Sequence, residues 1–358
     1  MSILVVRPRA GGGLAAHVDQ ELEVLAAAGI AVRESATTVQ DRPRPRQDLR
    51  TLRILRAESA ADDLTAVHAH GLRAGALAAL AHPRGGPALV VTLHNRTVGS
   101  RPVRLIGALL LRILARRART VLAVSPDLAE SARRAGARDV RHAIIPAPPR
   151  AGSEPDTTSD STTAPGSATG TSGGSDESSA TGEPLQILVI ARLAAQKGLD
   201  DLLDAAALLA AAREKVRIRI AGQGPLHEHL HARIRAEQLP VELLGSRDDV
   251  PQLLAAADLV VSAARWEGQP VALQEALLAG RAIVATDAGG TRWVTGTAAH
   301  LVPVGDAEAL AAAVRTLRAP LARRRAETAS RRRARELPRA EDLLAQLDEI
   351  LAPAPRRW

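Results

Sequence analysis

Short aliphatic runs alternate with longer amphipathic stretches along nearly the whole chain. "ILVV" (Ile3 to Val6) reads as a buried strand, followed by a glycine loop, Gly11 to Gly13, and a helix that stops at Gly29. "IAVRES", "AVHAHG", "ALVVTLH", "TVLAVS" and "HAIIP" read as further strands with helical patterns between most of them. Unbroken apolar runs, as opposed to every-second-residue alternation, suit strands covered on both faces, and intervening helices make such strands parallel. The rhythm restarts at Leu185 with "LQILVIA", "VRIRIAG", "VELLG", "DLVVSA", "AIVAT" and "HLVPV" as strands. Among the helices expected between and after them are "LDDLLDAAALLAAA", "PLHEHLHARIRAE", Pro270 to Ala279 and one opening at Asp306.

Between the halves the pattern fails. Residues 151–184 are almost all Ser, Thr, Gly, Ala, Asp, Glu and Pro. Such a stretch buries too little apolar area to offset chain entropy and is expected to be a disordered tether. The expected organisation is α/β: two Rossmann-like, doubly wound domains facing across a cleft, with a disordered interdomain insert. The first spans 1–150, the tether 151–184, the second 185–330, and 331–358 form a C-terminal helix and tail that pack back on the first domain. Ligands of such sheets sit beyond the carboxyl ends of the strands, so those loops hold the candidate chemistry.

Composition narrows the picture. The 358 residues include no Phe, Tyr or Cys and only three Trp, so the cores are aliphatic and neither disulfides nor thiolate metal sites exist. The net charge of +8, carried almost wholly by Arg, suits phosphorylated ligands or anionic surfaces. No aromatic residues interleave with the arginines of "RRRAETASRRRARE", which argues against specific nucleic-acid binding. The apolar start is too short for a secretion signal, and Arg112 interrupts "LIGALLLRILA" before it could span a membrane. A cytoplasmic protein is expected. Arg101, Arg112, Arg116 and Arg119 lie near one face of an amphipathic segment, which allows a weak peripheral contact with the inner face of the membrane.

The stretch "RWEGQPVALQEALLAG" sets Glu267 at the ligand-facing end of a strand. Pro270 opens a helix and Gly280 closes it. The amides of Gly268, Gln269 and Val271 then crown a helix N-terminus, which attracts anions, and Glu275 follows a little over one turn in. "RLAAQKG" places Arg192 and Lys197 at the same sheet edge, and Lys197 is one of only two lysines in the chain. The two glutamates alone also fit an acid–base pair of a glycosidase, but neutral glycans need no anion clamp. "HEHLH" (His227 to His231) has the zincin spacing but no third-ligand pattern downstream, where His300 is the lone later histidine. His68, His70 and His94 would also suit a metal. The alternative reading makes His70 the end of a strand near the acceptor side and His68 structural. No metal is expected.

In order and spacing, "VIARLAAQKGLDDLLDA", "IAGQGPLHEHL", "LLGSRDDVPQLLAAADLVVSAARWEGQPVALQEALLAG" and "AIVATDAGG" resemble the family 4 retaining glycosyltransferases of GT-B fold. "GGGLAAHV", "VHAHG", "VVTLHN" and "LAVSPDLAE" carry a weaker likeness in the first half. The resemblance implies transfer of a sugar from a nucleotide-diphosphate donor, usually without a metal or other cofactor. The acceptor could be a lipid, a glycan or a small molecule. It implies that Glu267 holds donor-sugar hydroxyls, Glu275 the ribose diol, and Arg192 and Lys197 the diphosphate. Gly12 would approach the donor from the first domain, and His94 would stand near the reacting centre. A non-catalytic relative that binds a sugar nucleotide as a regulatory module is the alternative. The chain departs from the family at "IIPAPPR", where a Pro-Asn-Gly turn is usual, at Trp293, where Glu is common, and at Gln269, where a bulkier apolar residue is common.

Overall fold

The computed structural model describes residues 2–9, 13–40, 43–146 and 183–352. Gly12 and all but the last two residues of the expected tether at 151–184 lie outside the described residues.

Strands β1 (Ser2–Val6), β2 (Ala31–Glu34), β3 (Leu64–His70), β4 (Ala88–Leu93), β5 (Thr120–Ala123) and β6 (Val140–His142) form one sheet in the order β2-β1-β3-β4-β5-β6. Strands β7 (Leu185–Ile190), β8 (Val216–Ala221), β9 (Val241–Gly245), β10 (Leu259–Ser262), β11 (Ala282–Thr286) and β12 (His300–Val302) form the other, in the order β12-β11-β10-β7-β8-β9. Every pairing in both sheets is parallel. The unbroken apolar runs behave as burial on both faces requires: all five residues of β1 and all five of β11 are buried. Each fully buried Leu, Ile or Val contributes about 1.5–3 kcal/mol relative to its exposed state. With no Phe or Tyr available, the largest fully buried side chains are Leu and Ile, among them Leu25, Leu55, Leu93, Leu193 and Ile218.

The strand expected at "HAIIP" forms two residues earlier. The ladder ends at His142, because the next groups have other partners. The Ala143 carbonyl accepts from the Gln269 side chain, the Ile144 amide donates to Gln346 at 3.0 Å, and the Ile145 carbonyl accepts from Gln274 at 2.7 Å.

The C-terminal region holds two helices that divide their allegiance. Helix Pro320–Ala334 lies on the second domain, where Arg333 donates to the carbonyls of Val294 and Trp293 at 2.9 and 2.8 Å. Helix Ala340–Leu351 returns to the first, burying Leu343, Leu347, Ile350 and Leu351 in that domain's core. Those positions follow the helical period of one apolar face. Arg141–Glu349 at 2.6 Å and Arg119 on the Ala352 carbonyl at 2.7 Å hold its far end.

Candidate active site

The carboxyl ends of the two sheets face each other across a cavity of about 870 Å3. Gly13, Leu14, His94, Asn95, Val124 and Ile145 line it from the first domain. The second domain contributes the loops after β7, β8, β9 and β10, including Arg192, Lys197, Glu267, Gly268, Gln269, Pro270 and Val271.

Two glycines let these loops approach. Gly198 follows Lys197 at φ +60°, and a Cβ there would stand 1.9 Å from the Ala263 carbonyl oxygen, so only glycine lets this turn rest on the β10 loop. A Cβ on Gly268 would lie 2.6 Å from Cγ2 of Val124 in the opposite domain. The lobes therefore touch at this point, and three hydrogen bonds fasten them beside it. Trp266 Nε1 donates to Asp127 at 3.0 Å, Gln274 to the Ile145 carbonyl at 2.7 Å, and Gln269 to the Ala143 carbonyl.

Lys197 and Glu267 form an ion pair of 2.5 Å at the cavity wall, with Glu267 buried. Arg192 lines the same wall and makes no ion pair among the described residues. Arg247 also lines it, but its guanidinium is engaged by Asp249 at 2.5 and 2.7 Å. Helix Val271–Leu278 points its N-terminus at the cavity. Its first bonded amides are those of Leu273 and Gln274, both to Pro270, which leaves the amides of Val271 and Ala272 toward the opening. An anion placed here would meet a lone guanidinium, an ammonium and two helix-end amides. Glu275 stands one turn farther on, buried, and is not part of the cavity wall. Four residues of helix carry it about 6 Å from the opening.

His94, at the end of β4, forms part of the wall and is the outermost member of a buried cluster that the sequence only half disclosed. His70 Nδ1 lies 3.2 Å from His94 Nε2, and His70 Nε2 lies 3.5 Å from Glu21 Oε2. His68 Nδ1 contacts Glu21 Oε1 at 2.6 Å, and its Nε2 contacts the Thr92 hydroxyl at 2.8 Å. His17 Nε2 is 3.9 Å from Glu21 Oε2. Burial pushes the His17 imidazole down to about 4 and lowers His70 and His94 as well, so these three rings are neutral near pH 7. Burial alone would raise the Glu21 carboxyl, but His68 and His70 hold it well below the ordinary glutamate range. His70 Nε2 faces that carboxylate at 3.5 Å without a hydrogen bond. His17 and Glu21, on helix Gly13–Ala27, were not singled out from the sequence. Their one signal is a polar pair at i, i+4 on a face that otherwise presents Val18 and Leu25 to the core.

Residues 184–319 match the family described as "Glycosyl transferases group 1", and residues 2–148 match the "Glycosyl transferase 4-like domain". Over 160 residues the chain is 36% identical to a GDP-mannose-dependent alpha-(1-6)-phosphatidylinositol dimannoside mannosyltransferase of Mycobacterium tuberculosis; the stretch covers 40% of each protein. Over 123 residues it is 31% identical to the alpha-D-kanosaminyltransferase of Streptomyces kanamyceticus, covering 33% of this chain and 32% of that one. These matches span well under half the length of the curated relatives. Whole-chain likeness appears at the level of fold. Sucrose-phosphate synthase from Thermosynechococcus elongatus superposes with a TM-score of 0.75 at 19% identity, covering 98% of both chains. Anabaena HepE, solved with UDP and glucose, superposes at 0.69 and 19% identity, covering 98% of this chain and 99% of the other.

Proposed function

The chain belongs to the group 1, family 4 glycosyltransferases, and from that premise we propose that it transfers a sugar from a nucleotide-diphosphate sugar to a hydroxyl acceptor, with retention at the anomeric carbon and with protein cations in place of a metal at the diphosphate. The observation that carries this reading is the anion-ready wall of the second domain: Arg192 without an ion-pair partner among the described residues, the Lys197–Glu267 pair and the N-terminus of helix Val271–Leu278, all on one cavity.

Cleaving a glycosyl–phosphate bond leaves an oxocarbenium-like sugar and a diphosphate that gains negative charge. In this reading Arg192 and Lys197 stabilise the departing charge where it develops, each worth about 3 kcal/mol when held in place beforehand. Glu267 is the ammonium's counter-ion and offers its second oxygen to donor-sugar hydroxyls. Diphosphate is already a good leaving group, so no general acid is required, and the leaving phosphate takes the acceptor proton on the same face, in place of a separate general base. Glu275, one turn behind the wall, would need a donor to reach inward if it holds the ribose diol.

The acceptor enters on the first-domain side. Helix Arg101–Arg117 exposes Leu105, Ile106 and Leu109 among Arg101, Arg104 and Arg112, which supports a weak peripheral contact with an anionic membrane. No helix among the described residues is long and apolar enough to cross a membrane. A relative uses GDP-mannose and a fold neighbour was solved with UDP, so the base is open. A thermal-shift panel of UDP-, GDP- and ADP-sugars, with and without a chelator, tests the proposal. One donor class should stabilise the protein equally in both conditions. A shift that the chelator abolishes overturns the metal-free diphosphate site, and no shift with any donor overturns the donor reading.

A further inference from the structure

We propose that His17, His70 and His94 form a binding site for a single first-row transition ion of the zinc, cobalt or nickel type, set in the first domain behind the cavity wall, with Glu21 as the carboxylate that orients its ligands. The site goes beyond the donor reading, whose cations all belong to the second domain.

One ligand atom from each of the three histidines can be chosen so that all lie within 4.8 Å of one another. His70 Nδ1 and His94 Nε2 already stand 3.2 Å apart. Two nitrogens on a tetrahedral zinc ion, each bonded at about 2.0–2.1 Å, lie about 3.3 Å apart. The remaining nitrogens of His17 and His70 turn toward Glu21. His70 Nε2 is 3.5 Å and His17 Nε2 3.9 Å from its Oε2, the carboxylate oxygen that His68 does not use. A carboxylate accepting the outer N–H of a ligating imidazole fixes the tautomer that presents a lone pair to the metal. A carboxylate oxygen facing both Nε2 atoms favours the tautomers protonated there. That leaves His17 Nδ1 and His70 Nδ1 as lone pairs.

One further observation points the same way. His17 Nδ1, His70 Nε2 and Glu21 Oε2 are buried and lack a hydrogen-bond partner, an unusual concentration of unmet polar atoms at one place in a core. Three imidazoles favour zinc, cobalt, nickel or copper over magnesium or calcium, which prefer oxygen. The entry path is the cavity, since His94 lines it. An ion here would tie the ends of β3 and β4 to helix Gly13–Ala27 and fix the His94 ring at the wall.

The helix His227–Ala236 complicates the test, because exposed His227 and His231 stack at 6.1 Å and could capture an ion adventitiously. Full-length protein carrying His227→Ala, His229→Ala and His231→Ala is therefore titrated with Co2+ and followed by visible absorption. The expected result is one equivalent of Co2+ with the intense bands of a tetrahedral site, displaced by Zn2+. X-ray absorption on that same protein should count three imidazoles, a readout that does not depend on any core variant folding. His17→Gln and His70→Gln should each lose the bands, and Glu21→Gln should keep them with affinity lower by about 10–100-fold. Absence of tetrahedral bands, a count other than three imidazoles, or bands unchanged in folded His17→Gln and His70→Gln proteins would overturn the site.

Discussion

Lys197 and Arg192 present the same charge in different circumstances. Lys197 is already neutralised by Glu267 at 2.5 Å, whereas Arg192 has no ion-pair partner among the described residues. Lys197→Ala removes one preorganised donor and leaves Glu267 buried without its counter-ion. We expect kcat to fall by about 10^2–10^3-fold, with a drop in thermal stability as well. Arg192→Ala should lower kcat by a similar factor and leave stability unchanged, since no buried group among the described residues loses an ion-pair partner. Paired activity and melting measurements on the two variants separate these outcomes, and equal stability losses would refute the distinction. His94→Ala should abolish transfer while sparing the nucleotide-induced thermal shift, because the donor cations lie on the other domain. Transfer at the parent rate would remove His94 from the reaction.

At the scale of elements, the loops after β7 and β10 and helix Val271–Leu278 act together because glycine lets them touch. Gly268→Ala places a methyl group against Val124 of the facing domain, at a Cβ distance of 2.6 Å that real contacts do not tolerate. The lobes must separate slightly to admit it. Steady-state kinetics should show a raised donor KM, with melting nearly unchanged because each lobe keeps its own core. Helix Ala340–Leu351 contributes differently. Deleting residues 340–358 uncovers the apolar surface that Leu343, Leu347, Ile350 and Leu351 fill. At about 1.5–3 kcal/mol for each buried side chain, the first domain should lose several kcal/mol and melt before the second. Calorimetry checks this, and a single unshifted transition would contradict it.

For the whole molecule, side chains of the second domain bridge the cleft. Gln269 and Gln274 reach across to carbonyls at the end of the first sheet, and Trp266 reaches Asp127. A hydrogen bond of this kind is worth about 0.5–1.5 kcal/mol. The double variant Gln269→Ala, Gln274→Ala should therefore widen the distribution of lobe separations seen by small-angle scattering, and donor binding should narrow it again. Identical scattering profiles for parent and double variant would show that the lobes are held by other contacts.

The sequence by itself determined the two parallel sheets, since unbroken aliphatic runs such as "ILVV" and "AIVAT" have few stable homes besides strands buried on both faces. It also placed Arg192, Lys197, Glu267 and the helix after Pro270 at strand ends, because a strand followed by glycine, proline and a helix fixes its own local geometry. What only the tertiary structure decided involves partners distant along the chain. Strand β6 stops at His142 because glutamines more than 120 positions away take up the next carbonyls. Glu275 shares a helix with the wall yet does not line the cavity. Glu21 reads as one polar residue in a helix until His68 and His70 of β3 and His17 close around it. Local pattern encodes which element a residue joins; which side chains meet inside is set by how the elements stack, and no short window of sequence contains that.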